Sequence, residues 1–340
     1  MPQLKRAIRR ALAYGLYYTG LLWLYAAIRL RRKAVVLMYH RVLPADADTC
    51  SHAGIIVTPE TFDMHLAFLA RHFRTLTQAQ FKQELDASAF GPRSCLVTFD
   101  DGWQDNVQNA LPLLMKHKVP AVFFVATGYV GTAGTFWQER LTRLLCLAAA
   151  NAKHASGLLQ EAGLGGVVQQ SPARVRQLAR EFVTSLKSRD PAVAHRFIER
   201  LEHALRDVAA ASDLGADRFM SWDELEVLRR SGLAAIGSHA HSHARLTTLG
   251  YKGARAELEL SRQTLAGYGF ANVSACAYPN GDVNDPVEAA AVDAGFTLGF
   301  STRSGFVRHS SEATHLRRIN IHESDTRSRP ELLYRMLNLP

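Results

Sequence analysis

The chain has 340 residues of which 47% are hydrophobic, enough to bury the core of one large domain or two ordinary ones, and this excludes a disordered or fibrous protein. A net charge of +9 would suit nucleic acid if it were spread over a folded face. Residues 1–33 instead hold eight Lys or Arg and no Asp or Glu, leaving the rest of the chain at +1, so no nucleic acid is expected and anionic lipid is.

From Ala11 to Ile28 no residue is charged, which reaches the minimum length of a membrane-crossing helix. Gly15, Thr19 and Gly20 interrupt it, and Tyr14, Tyr17, Tyr18 and Tyr25 follow helical spacing, as interface-seeking aromatics do. Spanning the bilayer and lying in its interface are both open, and a buried core helix is the soluble alternative. No small-x-small cleavage site precedes the basic cluster at Arg29 to Lys33, so retention is expected. Four basic residues stand on each side (Lys5, Arg6, Arg9, Arg10; Arg29, Arg31, Arg32, Lys33), so charge counting sets no orientation. The expectation for residues 1–33 is a membrane segment contacting lipid.

Short apolar runs then alternate with amphipathic stretches. Val35–Tyr39, Cys95–Phe99, Ala121–Ala126, Leu233–Gly237, Val273–Tyr278, Phe296–Ser301 and Leu316–Ile321 read as strands. Pro59–Phe73, with Thr58 as N-cap and Pro59 in the first turn, and Ala254–Tyr268 read as helices. Strands alternating with helices imply a mainly parallel sheet. The expected fold is α/β, an incomplete or distorted (β/α)7 barrel with a helical insertion and an N-terminal membrane-associated helix. The insertion is residues 138–217, a lid or a decoration, in which only Gly166–Gln169 is strand-like. The barrel domain is 34–137 with 218–330, and 331–340 is a tail. Cys50, Cys95, Cys146 and Cys276 form no Cys-x-x-Cys pair, and Cys95 and Cys276 read as small buried hydrophobes.

Two strand ends carry chemistry. Ser94 to Gly102 is an apolar run ending in Asp100, Asp101 and a turn glycine, and active sites of βα folds form where strands end. Adjacent carboxylates leaving a strand point different ways, so one can bind a metal while its neighbour moves protons. Taken alone, Asp-Asp-Gly is a common surface turn. Ala235 to His243 is a second such run, with three histidines in five residues. Histidines four apart plus one carboxylate make a 2-His-1-carboxylate site with open positions, and a solvated His-rich loop is the alternative.

Together, in this order and strand context, these motifs resemble the polysaccharide deacetylase family that shares the NodB homology domain, over roughly Ala34 to Ile321. The resemblance implies that Asp100 is the general base, that Asp101, His239 and His243 are metal ligands, and that the cofactor is a divalent metal, zinc first, with iron, cobalt or nickel also accommodated. Tyr39-His-Arg41, Phe136-Trp137 and Met220-Ser-Trp222 look like the membrane-associated, exopolysaccharide-biosynthesis branches. That implies a bacterial-type inner membrane, its side undecided, and places His40 beside the site or substrate. Cys276 to Gly281 matches the third motif with Ala277 in the arginine position and Asn280 in the tyrosine position, so the Asn280 backbone N–H is the candidate oxyanion donor and Tyr278 a neighbour. Arg318 is either the replacement for the missing arginine or a surface residue. Ile319-Asn-Ile-His322 resembles the late motif, making His322 the general acid or a structural histidine. Trp137 and Trp222 are an aromatic wall for a sugar ring, or core.

The function implied is metal-dependent hydrolytic N-deacetylation of a sugar in a polysaccharide or lipid-linked glycan. The rivals are a deformylase or other amidohydrolase on a lipid-linked amino sugar, an esterase, and a non-catalytic glycan-binding relative.

Overall fold

The computed structural model describes residues 2–166, 170–186, 191–209, 217–308 and 310–339. Two compact units emerge. The first comprises Met1–Ala45, Ala53–Thr132 and Phe219–Pro340, and the second Asp46–His52 with Ala133–Arg218.

The first unit is built on seven parallel strands: β1 (Lys33–Tyr39), β2 (Ser94–Phe99), β3 (Ala121–Val125), β4 (Ala234–Ser238), β5 (Ala275–Ala277), β6 (Leu298–Phe300) and β7 (Ile319–Asn320). β1 to β6 pair in chain order and β7 pairs with the other side of β1. A bridge from Phe300 to Leu316 carries the curl from β6 toward β7, so the sheet bends back on itself as a distorted barrel. Arg74–Thr75, parallel to β2, and Val307–Arg308, antiparallel to β1, complete nine strands.

The period of two explains the layers. Ala34, Val36, Leu96, Val122, Phe124, Ala277 and Phe300 form one apolar cluster, joined by Phe81 and Leu85 from the helix Gln78–Asp86. The alternate residues, Val35, Leu37, Tyr39, Val97, Phe99 and Phe123, pack with the surrounding helices. One of these, Pro59–His72, starts as its sequence predicts: Thr58 accepts from the Thr61 N–H at 3.3 Å. The helix expected over Ala254–Tyr268 is Gly250–Gly267, four residues longer at its start, with Tyr268 as its C-cap.

Residues 1–33 are not one helix. α1 (Pro2–Tyr18) and α2 (Leu21–Arg29) meet at 85°, and no single described helix is long and apolar enough to cross a membrane, although the bent pair passes by length and composition. One side of the pair packs onto the unit, burying Ala13, Leu22, Ala26 and Leu30. Of residues 331–340, expected as a tail, the described part 331–339 belongs instead to the body. The helix Arg329–Met336 buries Leu332, Leu333 and Met336, because its apolar face completes the core beneath α1.

The second unit is helical: Trp137–Ala150, Ala152–Glu161, Pro172–Leu186, Pro191–Ala204 and Arg206–Ala209. Its core joins Leu145, Ala148, Leu159, Ala179, Ile198 and Leu201. The segment Asp46–His52, which the sequence boundaries left with the barrel, belongs here because buried Asp217 accepts from the Thr49 hydroxyl at 2.5 Å and the Cys50 N–H at 2.7 Å, and pairs with Arg143 at 3.1 Å. Residues 167–169 of the strand-like Gly166–Gln169 lie outside the described residues.

A buried histidine gives the barrel a pH-dependent seam. His65 donates from Nε2 to the Thr326 carbonyl at 2.7 Å, so its Nδ1 accepts from the Tyr39 hydroxyl at 3.1 Å. Burial pushes its pKa from 6.5 down to about 4. The unfolded chain therefore binds this proton more readily, so the contribution is complete above the unfolded value and is lost as pH falls toward the folded one, about 3 kcal/mol in all. His65→Gln is expected to flatten the fall in stability, read as urea midpoints at about pH 7 and about pH 5. An unchanged slope would contradict it.

Candidate active site

The carboxyl ends of β1, β2, β4 and β5 bring the predicted chemistry together. Tyr39 is in register with Phe99, so the residues that follow, His40 and Asp100, leave adjacent strands at the same level. His239 follows β4 and donates from Nδ1 to the Ala277 carbonyl at the end of β5, 2.8 Å away. This fixes the tautomer and leaves Nε2 as a lone-pair donor, the usual way a ligating histidine is oriented.

His239 Nε2 and His243 Nε2 each lie 3.4 Å from Asp101 Oδ1. One donor atom from each of the three residues falls within 4.8 Å of the others, and the set is two imidazole nitrogens and a carboxylate oxygen. That geometry and chemistry fit a divalent cation with coordination positions left open. Burial pushes the Asp101 carboxyl up, and the two imidazoles more than offset it, leaving it well below the usual carboxylate range.

Local backbone makes this convergence possible. Asp101, Ala240, His243 and Asn280 account for four of the eight described non-glycine residues with positive φ. Such conformations are costly and persist where surrounding contacts over-determine them. Here they do: the Ser238 hydroxyl accepts from the Ala240 N–H at 3.1 Å, and Glu257 accepts from the amides of His241 and Ser242. Ala240 is fully buried, so its small side chain fits a packed seat. The middle histidine, His241, faces the Thr127 hydroxyl at 3.0 Å.

Asp100 is held differently. Arg318, fully buried, donates from Nη1 to Oδ1 at 2.6 Å and from Nη2 to Oδ2 at 2.7 Å, a bidentate pair. Its Nε donates to the Ser301 carbonyl and Nη1 also to the Thr98 hydroxyl. Burial pushes Asp100 up, and the Arg318 guanidinium with His239 outweighs it, so the carboxyl stays below its ordinary value. Arg318 thus takes the place beside this carboxylate that Ala277 leaves empty, and the surface alternative is excluded.

His40 also stands against Asp100: its Nε2 is 4.0 Å from Oδ2, and its buried Nδ1 has no hydrogen-bond partner among the described residues. His322, expected as the acid, is engaged by the turn that follows it. Its Nδ1 accepts from the Ser324 hydroxyl at 3.0 Å and its Nε2 lies 3.4 Å from Asp325. The reason is local: β7 is only two residues long, and the chain turns at once into Glu323–Thr326, where Glu323 accepts from the Thr58 N–H and the Thr61 hydroxyl.

Asn280 sits at φ +58, ψ 0 in the loop after β5, with its carbonyl accepting from Thr302. Gly281 follows at φ +72, and a Cβ there would fall 2.0 Å from the Thr302 hydroxyl oxygen, which is why this loop keeps glycine. Tyr278 is a core residue, fully buried, donating its hydroxyl to the Thr314 carbonyl at 2.7 Å. Trp222 stacks on Tyr268 and packs against the main core, and Trp137 packs against the core of the second unit.

Sequence reasoning passed over Trp103. Its indole N–H donates to Asp101 Oδ2 at 2.8 Å, its ring stacks on Phe219, and the Arg41 guanidinium lies 4.1 Å over its centroid. Arg41 is fully buried and pairs with Asp105 at 2.9 Å. The available signal was its place directly after the Asp-Asp-Gly turn.

Fold and site together define a curled, mostly parallel sheet that carries, on one rim, three side chains able to hold a metal ion and a separate carboxylate paired with an arginine. Residues 87–299, more than half of the chain, match the polysaccharide deacetylase model, and the chain belongs to that family. The poly-beta-1,6-N-acetyl-D-glucosamine N-deacetylase of Staphylococcus aureus is 31% identical over 108 residues, which cover 29% of this chain and 37% of that protein. The chain spans less than half the length of the curated relatives it matches first. Two solved structures share the fold at 18% identity. They are Streptococcus pyogenes deacetylase PplD in complex with acetate, TM-score 0.56 over 89% of this chain and 98% of that one, and IcaB from Ammonifex degensii, TM-score 0.57 over 90% and 97%.

Proposed function

We propose that the chain is a metal-dependent N-deacetylase that hydrolyses the acetamide of an N-acetylated sugar in a polysaccharide or lipid-linked glycan. The observation that carries this reading is the buried Arg318–Asp100 pair beside the Asp101, His239, His243 triad. A glycan-binding module would need no second carboxylate kept ionised next to a ligand set. The match to a relative named for N-acetylglucosamine polymers supports the choice of an N-acetyl hexosamine.

Asp101, His239 and His243 would hold the cation, zinc being the first choice for this donor set, with iron, cobalt or nickel also accommodated. The chemistry such a cation supplies is Lewis acidity toward an amide carbonyl and a water. Asp100, ionised at neutral pH, accepts the proton of the attacking water, and Arg318 fixes the carboxylate plane during the transfer. The Asn280 N–H, presented by its left-handed backbone, donates to the oxygen on which charge develops. His40 delivers the proton to the departing sugar nitrogen as the C–N bond breaks, so the products are a free amine and acetate.

Full-length protein loaded with zinc is expected to release acetate from N-acetylglucosamine oligomers and to leave one free amine per acetate, read by mass spectrometry. His40→Gln is expected to lower kcat by about 10²–10⁴ with little change in KM. Formate from an N-formyl sugar, with acetyl sugars untouched, would identify a deformylase. Glycan binding with no amine formed would identify a binding module.

A further inference from the structure

The N-terminal helices supply none of the residues assigned to this chemistry, yet they carry eight of the fourteen large hydrophobic side chains that are exposed among the described residues. Leu4, Ile8 and Leu12 recur every four residues along α1, a single ridge, at 66%, 52% and 48% exposure. On α2, Leu21, Leu24 and Ile28 form a second ridge at 52%, 59% and 70%. Apolar side chains massed in this way mark a surface that something covers.

The opposite sides are committed. Leu22 and Ala26 are in the main core, Trp23 packs on Phe68 and His72, and Arg9 pairs with Asp325. Each uncharged arm, 11–18 and 21–28, is about 12 Å long at 1.5 Å per residue, against roughly 30 Å of hydrocarbon. The arms meet at 85° over Gly20, whose φ of +80 is a glycine conformation. The pair is therefore the wrong shape to cross a bilayer and the right shape to lie on one.

Charge selects the occupant. Lys5, Arg6 and Arg10 on α1, and Arg29, Arg31 and Arg32 around the end of α2, are exposed, and residues 1–33 contain no acid. A second copy of the chain would bring the same positive charge to this face, whereas anionic phospholipid head groups would neutralise it.

We propose that α1 and α2 form a monotopic platform that lies in the head-group region of an anionic bilayer, with the two leucine-rich ridges in the acyl boundary, and does not cross it. Arg9 fastens the platform to Asp325, which faces His322 directly after β7, so the lipid-facing helices are tied to the rim that carries Asp100. This proposal stands whether or not the catalytic reading does.

The test uses the full chain and preformed phosphatidylcholine vesicles with or without phosphatidylglycerol. The protein is expected to float with the anionic vesicles at least tenfold more than with neutral ones, and less so as salt rises. Leu12→Glu with Leu24→Glu is expected to reduce flotation at least tenfold with an unchanged thermal midpoint, because both side chains are exposed. In sealed membranes of producing cells, Lys5→Cys and Arg32→Cys are expected to react with an impermeant maleimide from the same side. Labelling from opposite sides, flotation unaffected by the glutamates, or a lipid-independent dimer that they dissociate would each overturn the platform.

Discussion

Asp100→Asn is expected to abolish turnover while leaving bound metal nearly intact, and Asp101→Ala to lose both. The two residues are neighbours in sequence, but their carboxylates face different partners: Asp101 faces the imidazoles of His239 and His243, Asp100 the guanidinium of Arg318. An amide at position 100 cannot accept the water's proton, a loss of about 10²–10⁴ in rate for a general base. It leaves the three ligand atoms in place, so metal content by elemental analysis and affinity by chelator competition should change only a few-fold. It also leaves Arg318 buried opposite a neutral group, so the metal measurements belong well below the variant's lowered thermal midpoint. Full metal loss in Asp100→Asn, or normal turnover, would overturn the division of roles.

The strands were legible because each is a short apolar run bounded by polar or turn residues, and helix Pro59–His72 because its cap and proline are local signals. Asp100, Asp101, His239 and His243 were legible for the same reason, each following a readable strand. Bringing together what stands beside them takes long-range register. His40 meets Asp100 because β1 and β2 pair in parallel with Tyr39 opposite Phe99, and no local pattern shows that. Arg318 reaches Asp100 across 218 positions, from the segment that bridges β6 to β7. The membership of 46–52 in the helical unit rests on Thr49 and Cys50 meeting Asp217, a contact without periodicity. The bend in the N-terminal segment was signalled by Thr19 and Gly20, but its angle follows from how Leu22 and Ala26 pack.

Arg318→Met is expected to damage the protein twice, in stability and in the pH range of the proposed turnover. Removing one partner of a buried bidentate pair strands the other charge, which costs about 3–5 kcal/mol. In the native chain the folded-state carboxyl of Asp100 lies below its ordinary value, so its contribution is present above the unfolded pKa and lost as pH falls through the folded one. Without Arg318 the burial that opposes ionisation is left with only the histidines against it, and the carboxyl moves up. The acid limb of kcat/KM should therefore shift to higher pH, activity recovering as pH rises, an effect that a merely loosened fold would not produce. Arg318→Lys should recover part of the stability and less of the rate, since an ammonium restores the charge without the planar fork. Asp100→Asn combined with Arg318→Met should be less destabilised than the sum of the single variants by an amount on the order of 3 kcal/mol, because neither charge is then stranded. Strict additivity in urea unfolding, with an unmoved pH profile, would mean that the pair only packs the barrel and that Asp100 needs no counter-charge to act as a base.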